Sequence, residues 1–267
     1  MIGIFDSGLG GLTVFKEIAR KLPGYRLLYL GDTARAPYGN RSQELIYQFT
    51  EQAIDYLFKQ GCELIIIACN TASAEALRKI QQEYLPKVYP DKRVLGVIRP
   101  LAEAAAAATK TGRIGVVGTR ATIVSGAYER ELRAQKPGLK VFGNACPLLV
   151  PLIEEGMTRR GETAKYVRHC VRPLKQQKID TLILGCTHYP ILAKQFQAAA
   201  GRNIKVLDAA GIVAEKLAAY LARHPEIESK LEKDGVHKFL VTDMTDNFRR
   251  CAQAWLGEKI NLEKIEL

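Results

Sequence analysis

The chain has 267 residues, 47% of them hydrophobic and 25% charged, a make-up that suits a globular protein of one large domain or two modest ones. It excludes a disordered or collagen-like chain, and the longest clearly apolar run, Leu64 to Cys69, is far too short to span a bilayer. Lysine and arginine total 39 against 28 acids, a net charge of +11, but no run of five basic residues occurs, so a solvated basic surface is expected and a nucleic-acid partner is not.

In chain order, Ile2–Phe5 reads as a strand and Thr13–Leu22 as a helix. Arg26–Leu30 follows as a strand, Ser42–Gln60 as a helix, Leu64–Ala68 as a strand and Ser73–Tyr84 as a helix. Arg93–Val97 is a strand, followed by an alanine-rich helix near Leu101–Thr109. The pattern then restarts with strand Arg113–Val117, helix Ser125–Gln135, strand Lys140–Phe142 and helix Thr163–Gln176. Strand Thr181–Leu184, helix Pro190–Ala199 and strand Lys205–Leu207 complete it. A helix near Ile212–Ala222, a polar stretch around His224–Asp234, a strand at His237–Thr242 and a helix at Asp246–Leu256 close the chain. The alternation predicts an α/β protein with largely parallel sheets. Continuously apolar strands predict helices on both sheet faces.

The restart reads as an internal repeat. Ile2-Gly3-Ile4 matches Ile114-Gly115-Val116 at an offset of 112, and Gly24 matches Gly138 at 114. The apolar strands ending at Cys69 and Cys186 match at 117. Two pseudosymmetric α/β lobes are predicted, residues 1–97 with 208–267 and residues 98–207. Their shared cleft would lie at the carboxyl ends of the strands.

Six cysteines are present, with no CxxC pair and no visible secretory signal, which points to the reducing cytosol. Two of them occupy mirrored places. Each ends an apolar strand and precedes a polar pair: Cys69-Asn70-Thr71 and Cys186-Thr187-His188. A helix start beside a thiol is expected to lower its pKa and raise its thiolate fraction. Two opposed thiols suit proton transfer with inversion, one removing a proton from carbon and the other delivering one to the opposite face. Two alternatives stay open on the residues alone: zinc held by Cys69, Cys186 and His188, and a Cys–His hydrolase.

Phe5-Asp6-Ser7-Gly8-Leu9-Gly10-Gly11 is a glycine-rich turn without dinucleotide or P-loop spacing, suited to close approach of a small ligand. Asp6 is placed to pair with an ammonium group or a catalytic neighbour. Ala36-Pro37-Tyr38-Gly39-Asn40 reads as a turn. Thr119 and Thr122, after the first strand of the second half, suit a carboxylate at a helix start or simple capping. Glu154 and Glu155 read as first-turn helix acids.

Together these motifs resemble bacterial glutamate racemases, cofactor-independent members of the aspartate/glutamate racemase superfamily. The matches are Phe5 to Val14, Pro37-Tyr38-Gly39, Cys69-Asn70-Thr71-Ala72-Ser73-Ala74 and Gly185-Cys186-Thr187-His188-Tyr189-Pro190. Lesser matches are Gly118-Thr119, Pro151 to Gly156 and Phe239 to Asp243, so the resemblance covers essentially the whole chain. It implies interconversion of L- and D-glutamate without pyridoxal phosphate or metal. It also implies a cytoplasmic homodimer whose D-glutamate enters peptidoglycan, the wall that sets cell shape. By the resemblance, Cys69 acts on D-glutamate and Cys186 on L-glutamate. Asp6 and His188 flank and tune the thiols, and Glu154 supports His188. Ser7, Tyr38, Gly39, Asn70, Thr71 and Thr187 match substrate-binding positions, with Thr119 and Thr122 on the carboxylate.

The aspartate racemase branch usually carries a histidine soon after the first Cys-Asn-Thr and a glutamate after the second Cys-Thr. Ser73 and His188 stand here instead, which favours glutamate. Arg99 departs from the acid many members carry before the proline at this point. No activator requirement is expected, since the chain begins directly at the first strand.

Overall fold

The computed structural model describes residues 1–257 and 259–267. Ten strands form two sheets: β1 (Ile2–Asp6), β2 (Leu27–Gly31), β3 (Leu64–Ile67), β4 (Arg93–Gly96), β5 (Arg113–Gly118), β6 (Lys140–Ala145), β7 (Thr181–Gly185), β8 (Lys205–Leu207), β9 (His237–Val241) and β10 (Leu262–Lys264). The first sheet has the order β10-β9-β2-β1-β3-β4 and the second β6-β5-β7-β8. Every pairing is parallel. The molecule is therefore α/β with two parallel sheets. β1, β2, β3 and β7 are buried along their whole length, which is why their sequences run apolar without alternation.

The order β2-β1-β3-β4 recurs as β6-β5-β7-β8, and the hydrogen-bond register carries the repeat to single residues. Ile4 lies opposite Tyr29 and Ile66, as Val116 lies opposite Gly143 and Ile183. Those partners differ by 143 − 29 = 114 and 183 − 66 = 117, the offsets read from Gly24/Gly138 and from the two cysteines. Cys69 and Cys186 therefore occupy equivalent places, each three residues past the strand position facing Ile4 or Val116.

One apolar core joins the sheets. Ile4, Tyr29 and Ile66 from the first belong to the same buried cluster as Ile114, Val116 and Ile183 from the second. Helices Ile98–Ala108 and Ala209–Arg223, where the chain passes between the sheets, add Leu101, Ala102, Ala105 and Leu217 to it. Their small alanines let the helix axes approach closely. Each fully buried leucine or isoleucine contributes about 1.5–3 kcal/mol. Among the described residues no helix is long and apolar enough to cross a membrane.

Several local expectations need correction. The helix expected at Ser73–Tyr84 starts earlier, at Asn70, because the Cys69 thiol caps it. It is interrupted after Glu75 and passes through a π-turn at Ile80–Tyr84 before Pro86 opens another turn. Helix Ser125–Gln135 starts two residues later, at Ala127 after Gly126 at φ +65°, and a separate unpredicted helix, Arg120–Val124, precedes it. Glu154 is no first-turn acid: it ends helix Leu149–Glu154. β10 is short, largely exposed and polar, so it left no apolar signal in the sequence.

Candidate active site

The carboxyl ends of β1, β3, β5 and β7 meet at one cavity of about 360 Å³, at the small end of ligand-site volumes. Of the thirteen residues singled out from sequence, eleven line it, among them Ser7, Tyr38, Cys69, Asn70, Cys186 and His188. Asp6 and Thr122 stand just behind the wall, fully buried. Hollows of about 770, 530 and 480 Å³ are larger, but of the thirteen only Gly39 borders one of them.

Cys69 caps helix Asn70–Glu75: its Sγ lies 3.4 Å from the Ala72 N–H and 3.3 Å from the Ser7 hydroxyl. Those contacts favour the thiolate, as the helix-start reading expects. They lose, however, to burial and to the nearby Asp6 charge, which together push the thiol up to about 12. The expectation of a lowered pKa at Cys69 is therefore wrong for this site. A helix start stabilises a charge weakly, whereas complete desolvation penalises it strongly.

Asp6 is also raised by burial, against the pull of His188 and the N–H groups of Gly11 and Gly8. Its Oδ2 accepts from Gly8 N–H at 3.0 Å and its Oδ1 from the Thr187 hydroxyl at 3.3 Å. Thr187 is held again through its carbonyl, which accepts from the Thr13 hydroxyl at 3.0 Å. These two bonds stitch the β1 turn to the loop after β7.

The second thiol has different company. Cys186 Sγ lies 3.9 Å from His188 Nδ1, and His188 Nε2 lies 2.9 Å from Glu154 Oε1. Burial lowers the imidazole, but Cys186 and Glu154 outweigh it and hold it up at about 10. His188 is therefore an imidazolium at neutral pH, placing positive charge beside Cys186. The Trp255 ring packs edge-on against it, centroids 5.5 Å apart. Asn247 Nδ2 donates to the Glu154 carbonyl at 3.2 Å, fixing the end of that helix.

A raised histidine stabilises the fold fully below its unfolded pKa of about 6.5 and loses that contribution as pH rises through its folded value. Glu154→Gln is thus expected to lower stability most below pH 6.5. The deficit should shrink as pH climbs toward about 10, where His188 deprotonates in the wild type. Urea unfolding of both proteins across that range checks this; a deficit independent of pH would contradict it.

Hydroxyls close the opposite wall. Thr119 caps helix Arg120–Val124, and its Oγ1 lies 2.9 Å from Thr71 Oγ1 and 3.0 Å from Thr122 Oγ1. The capping and ligand readings of Thr119 are therefore compatible. Tyr38 is buried with its hydroxyl on the Asp32 carboxylate, which raises the phenol further above its ordinary value after burial has done so. Gly39 packs against Thr119 so tightly that a Cβ there would lie 2.8 Å from the Thr119 Cβ. Asn70 Oδ1 accepts from the Tyr128 hydroxyl at 2.6 Å, while its Nδ2 is buried with no partner. A buried orphan donor in a cavity wall is a ready contact for an anionic ligand.

Sequence reasoning missed Tyr128, Trp255, Thr13 and Asp32. Each sits in an ordinary amphipathic helix or an ordinary turn, and only its tertiary contact marks it. The zinc alternative finds no support in the donor set: among the described residues no three His, Cys, Asp or Glu side chains are grouped to hold a metal ion.

Comparison with known proteins adds a separate line of observation. The family described as Asp/Glu/Hydantoin racemase matches residues 2–217. A glutamate racemase of Streptococcus suis is 40% identical over 266 residues, covering 100% of this chain and 98% of the relative. The crystal structure of a glutamate racemase isoform from Bacillus anthracis superposes with a TM-score of 0.92 at 36% identity, covering 100% of this chain and 97% of that one. The Francisella tularensis glutamate racemase in complex with D-glutamate gives 0.89 at 32% identity, covering 99% and 97%.

Proposed function

The chain belongs to the Asp/Glu/Hydantoin racemase family, and from that premise we propose that it interconverts L- and D-glutamate by proton transfer between Cys69 and Cys186. One observation carries the two-base reading: two buried thiols from register-equivalent positions border the same cavity. A single nucleophile needs no such partner.

The step balances in protons. The Cys186 thiolate takes the α-proton of L-glutamate, and the electron pair passes into the α-carboxylate. The Cys69 thiol then delivers its proton to the other face of the same carbon, leaving a Cys69 thiolate and a Cys186 thiol. The D-to-L direction is the reverse. The resting site suits the L-to-D direction: Cys69 is held as the thiol, and the Glu154-supported His188 imidazolium sits beside Cys186. The weak acidity of the α-proton is met by electrostatics among the buried groups of a small cavity. The free Asn70 Nδ2 and the Thr71 hydroxyl are the donors for the charge developing on the α-carboxylate, while Thr187, its hydroxyl given to Asp6, borders the substrate. Thr119, backed by Thr122 at 3.0 Å, serves the other carboxylate, and Ser7, Tyr38 and Gly39 frame the substrate. Asp6 tunes Cys69.

The same reading includes two lobes, residues 1–97 with 208–267 and residues 98–207, closing on glutamate. It also includes a homodimer working in the cytoplasm and supplying D-glutamate to peptidoglycan. Incubation with L-glutamate in D₂O, followed by circular dichroism and proton NMR, tests the chemistry. Early D-glutamate should carry α-deuterium while the remaining L-glutamate keeps its proton. L-Aspartate should not react. Equal early deuteration of both enantiomers would point to one base and overturn the two-thiol step.

A further inference from the structure

The net positive charge of this protein lies in one half of it. Residues 98–207 hold 18 basic and 7 acidic side chains, a net 18 − 7 = +11. The rest of the chain holds 21 of each and is neutral. No basic run occurs, but seven of these residues fall within 159–178, and the fold sets four of them in line. Along helix Gly161–Gln176, Val167, Cys170, Val171 and Leu174 enter the core. The opposite face carries Lys165, Arg168, Arg172 and Lys175, all exposed. Their spacing of three, four and three residues makes one straight row, about 15 Å long at the rise of an α-helix. Exposed Arg159 and Arg160 precede the row and Lys178 extends it. Helix Ala193–Ala200 packs alongside and adds Lys194. Among the described residues none of these cations is in an ion pair; Lys175 Nζ donates to the Ala199 carbonyl at 3.0 Å. The acids of this half are mostly committed elsewhere: Glu103 to Lys216, Glu129 to Arg133, Glu154 to His188 and Asp180 to Thr109. Glu155 and Glu162 are the acids that remain near the row.

We propose that this outer face docks the phosphate backbone of a nucleic-acid duplex, without reading sequence. A straight, unpaired row of Lys and Arg matches a regular line of phosphates. The chemistry disfavours other anionic partners. A membrane-surface helix needs an apolar face for lipid, and here the apolar face is spent on the core. Single strands need open aromatic faces, but Tyr166 on this helix is stacked on His169 with ring centroids 5.9 Å apart. Protein interfaces favour aromatic anchors and are poor in lysine. None of the row lines the substrate cavity, so binding and racemisation are separable.

The test is fluorescence anisotropy of a labelled 30-base-pair duplex of arbitrary sequence at two salt concentrations. Four phosphate contacts give a salt slope of about −3.6, hence about 150-fold weaker binding at 200 mM than at 50 mM salt. Lys165→Glu, Arg168→Glu, Arg172→Glu and Lys175→Glu together should abolish binding at 50 mM salt and leave racemisation within about twofold. A glutamine set at the same four exposed sites replaces it if the reversal impairs folding. Reversing Lys21, Arg78, Lys87 and Lys230 changes the net charge equally and should leave most binding in place. The proposal is overturned by no duplex binding at 50 mM salt, by equal loss in that control, or by binding to phosphatidylserine vesicles or polyglutamate but not to duplex.

Discussion

Replacing either Cys69 or Cys186 with alanine is expected to lower kcat/KM for racemisation by about 10³- to 10⁴-fold, in both directions. Each thiol is base for one enantiomer and acid for the other, so neither half-reaction survives its loss. The two enantiomers have equal free energy in water, so the loss must be the same whichever enantiomer is supplied. Both thiols are buried, 5% and 6% exposed, so bulk water does not readily substitute for them. The informative control is Cys62. Burial pushes its thiol up to about 12, as it does Cys69, so acidity alone does not separate the two. Position does: Cys62 packs among core residues behind β1, under Gly3, and away from the cavity. Cys62→Ala should cost some stability through lost packing and leave turnover near wild type. Initial rates with each enantiomer, alongside circular-dichroism melts, check all three variants. Substantial racemisation by folded Cys69→Ala or Cys186→Ala protein would end the two-base account.

Gly10→Ala is the second large expectation, and it acts through one methyl group. A Cβ at Gly10 would stand 2.1 Å from Thr187 Oγ1 and 2.5 Å from His188 Nδ1. Neither neighbour is free to yield. Thr187 is tied to Asp6 and Thr13, and His188 to Glu154 and the Trp255 ring. The methyl must therefore push the loop after β7, with Cys186 on it, away from the β1 turn. Overpacking of this kind costs about 1–3 kcal/mol of stability. The larger effect is on rate: a displacement of about 1 Å between reacting groups costs roughly 10²-fold. We expect kcat to fall by that factor or more, with a lowered melting temperature. Gly24→Ala is the matched control, since a Cβ there meets nothing within 4 Å. Equal activity in the two variants would show that the turn and the loop do not need this close approach.

Much of this protein is written locally in its chain. Runs such as Leu64–Ile67 are apolar because both faces of their sheets are covered, so alternation with amphipathic helices is enough to announce parallel α/β layers. The offsets of 114 and 117 survive because hydrogen-bond register fixes which residues face one another, and a repeat kept in register stays visible as spacing. The two cysteine motifs were legible for the same reason: each lies at a strand end, a place that short-range pattern defines. What depended on distant residues was not legible. Glu154 reaches His188 across 34 residues, and Tyr128 reaches Asn70 across 58. No periodicity records such pairings: Tyr128 meets Asn70 only once the second sheet sits against the first, and Glu154, whose role the resemblance alone implied, meets His188 only once helix Leu149–Glu154 packs against the turn after β7. The direction of the Cys69 shift was misread on that account. A helix start is a local feature, but desolvation is set by everything that closes over the thiol. The basic row, by contrast, is local: Lys165, Arg168, Arg172 and Lys175 fall at helical spacing within one predicted helix, and the structure adds that the other face of that helix is committed to the core. Sequence alone determined the layers, the repeat and the two thiols. Tertiary structure alone decided their protonation and most of their supporting contacts, since burial and long-range hydrogen bonds are properties of the folded volume.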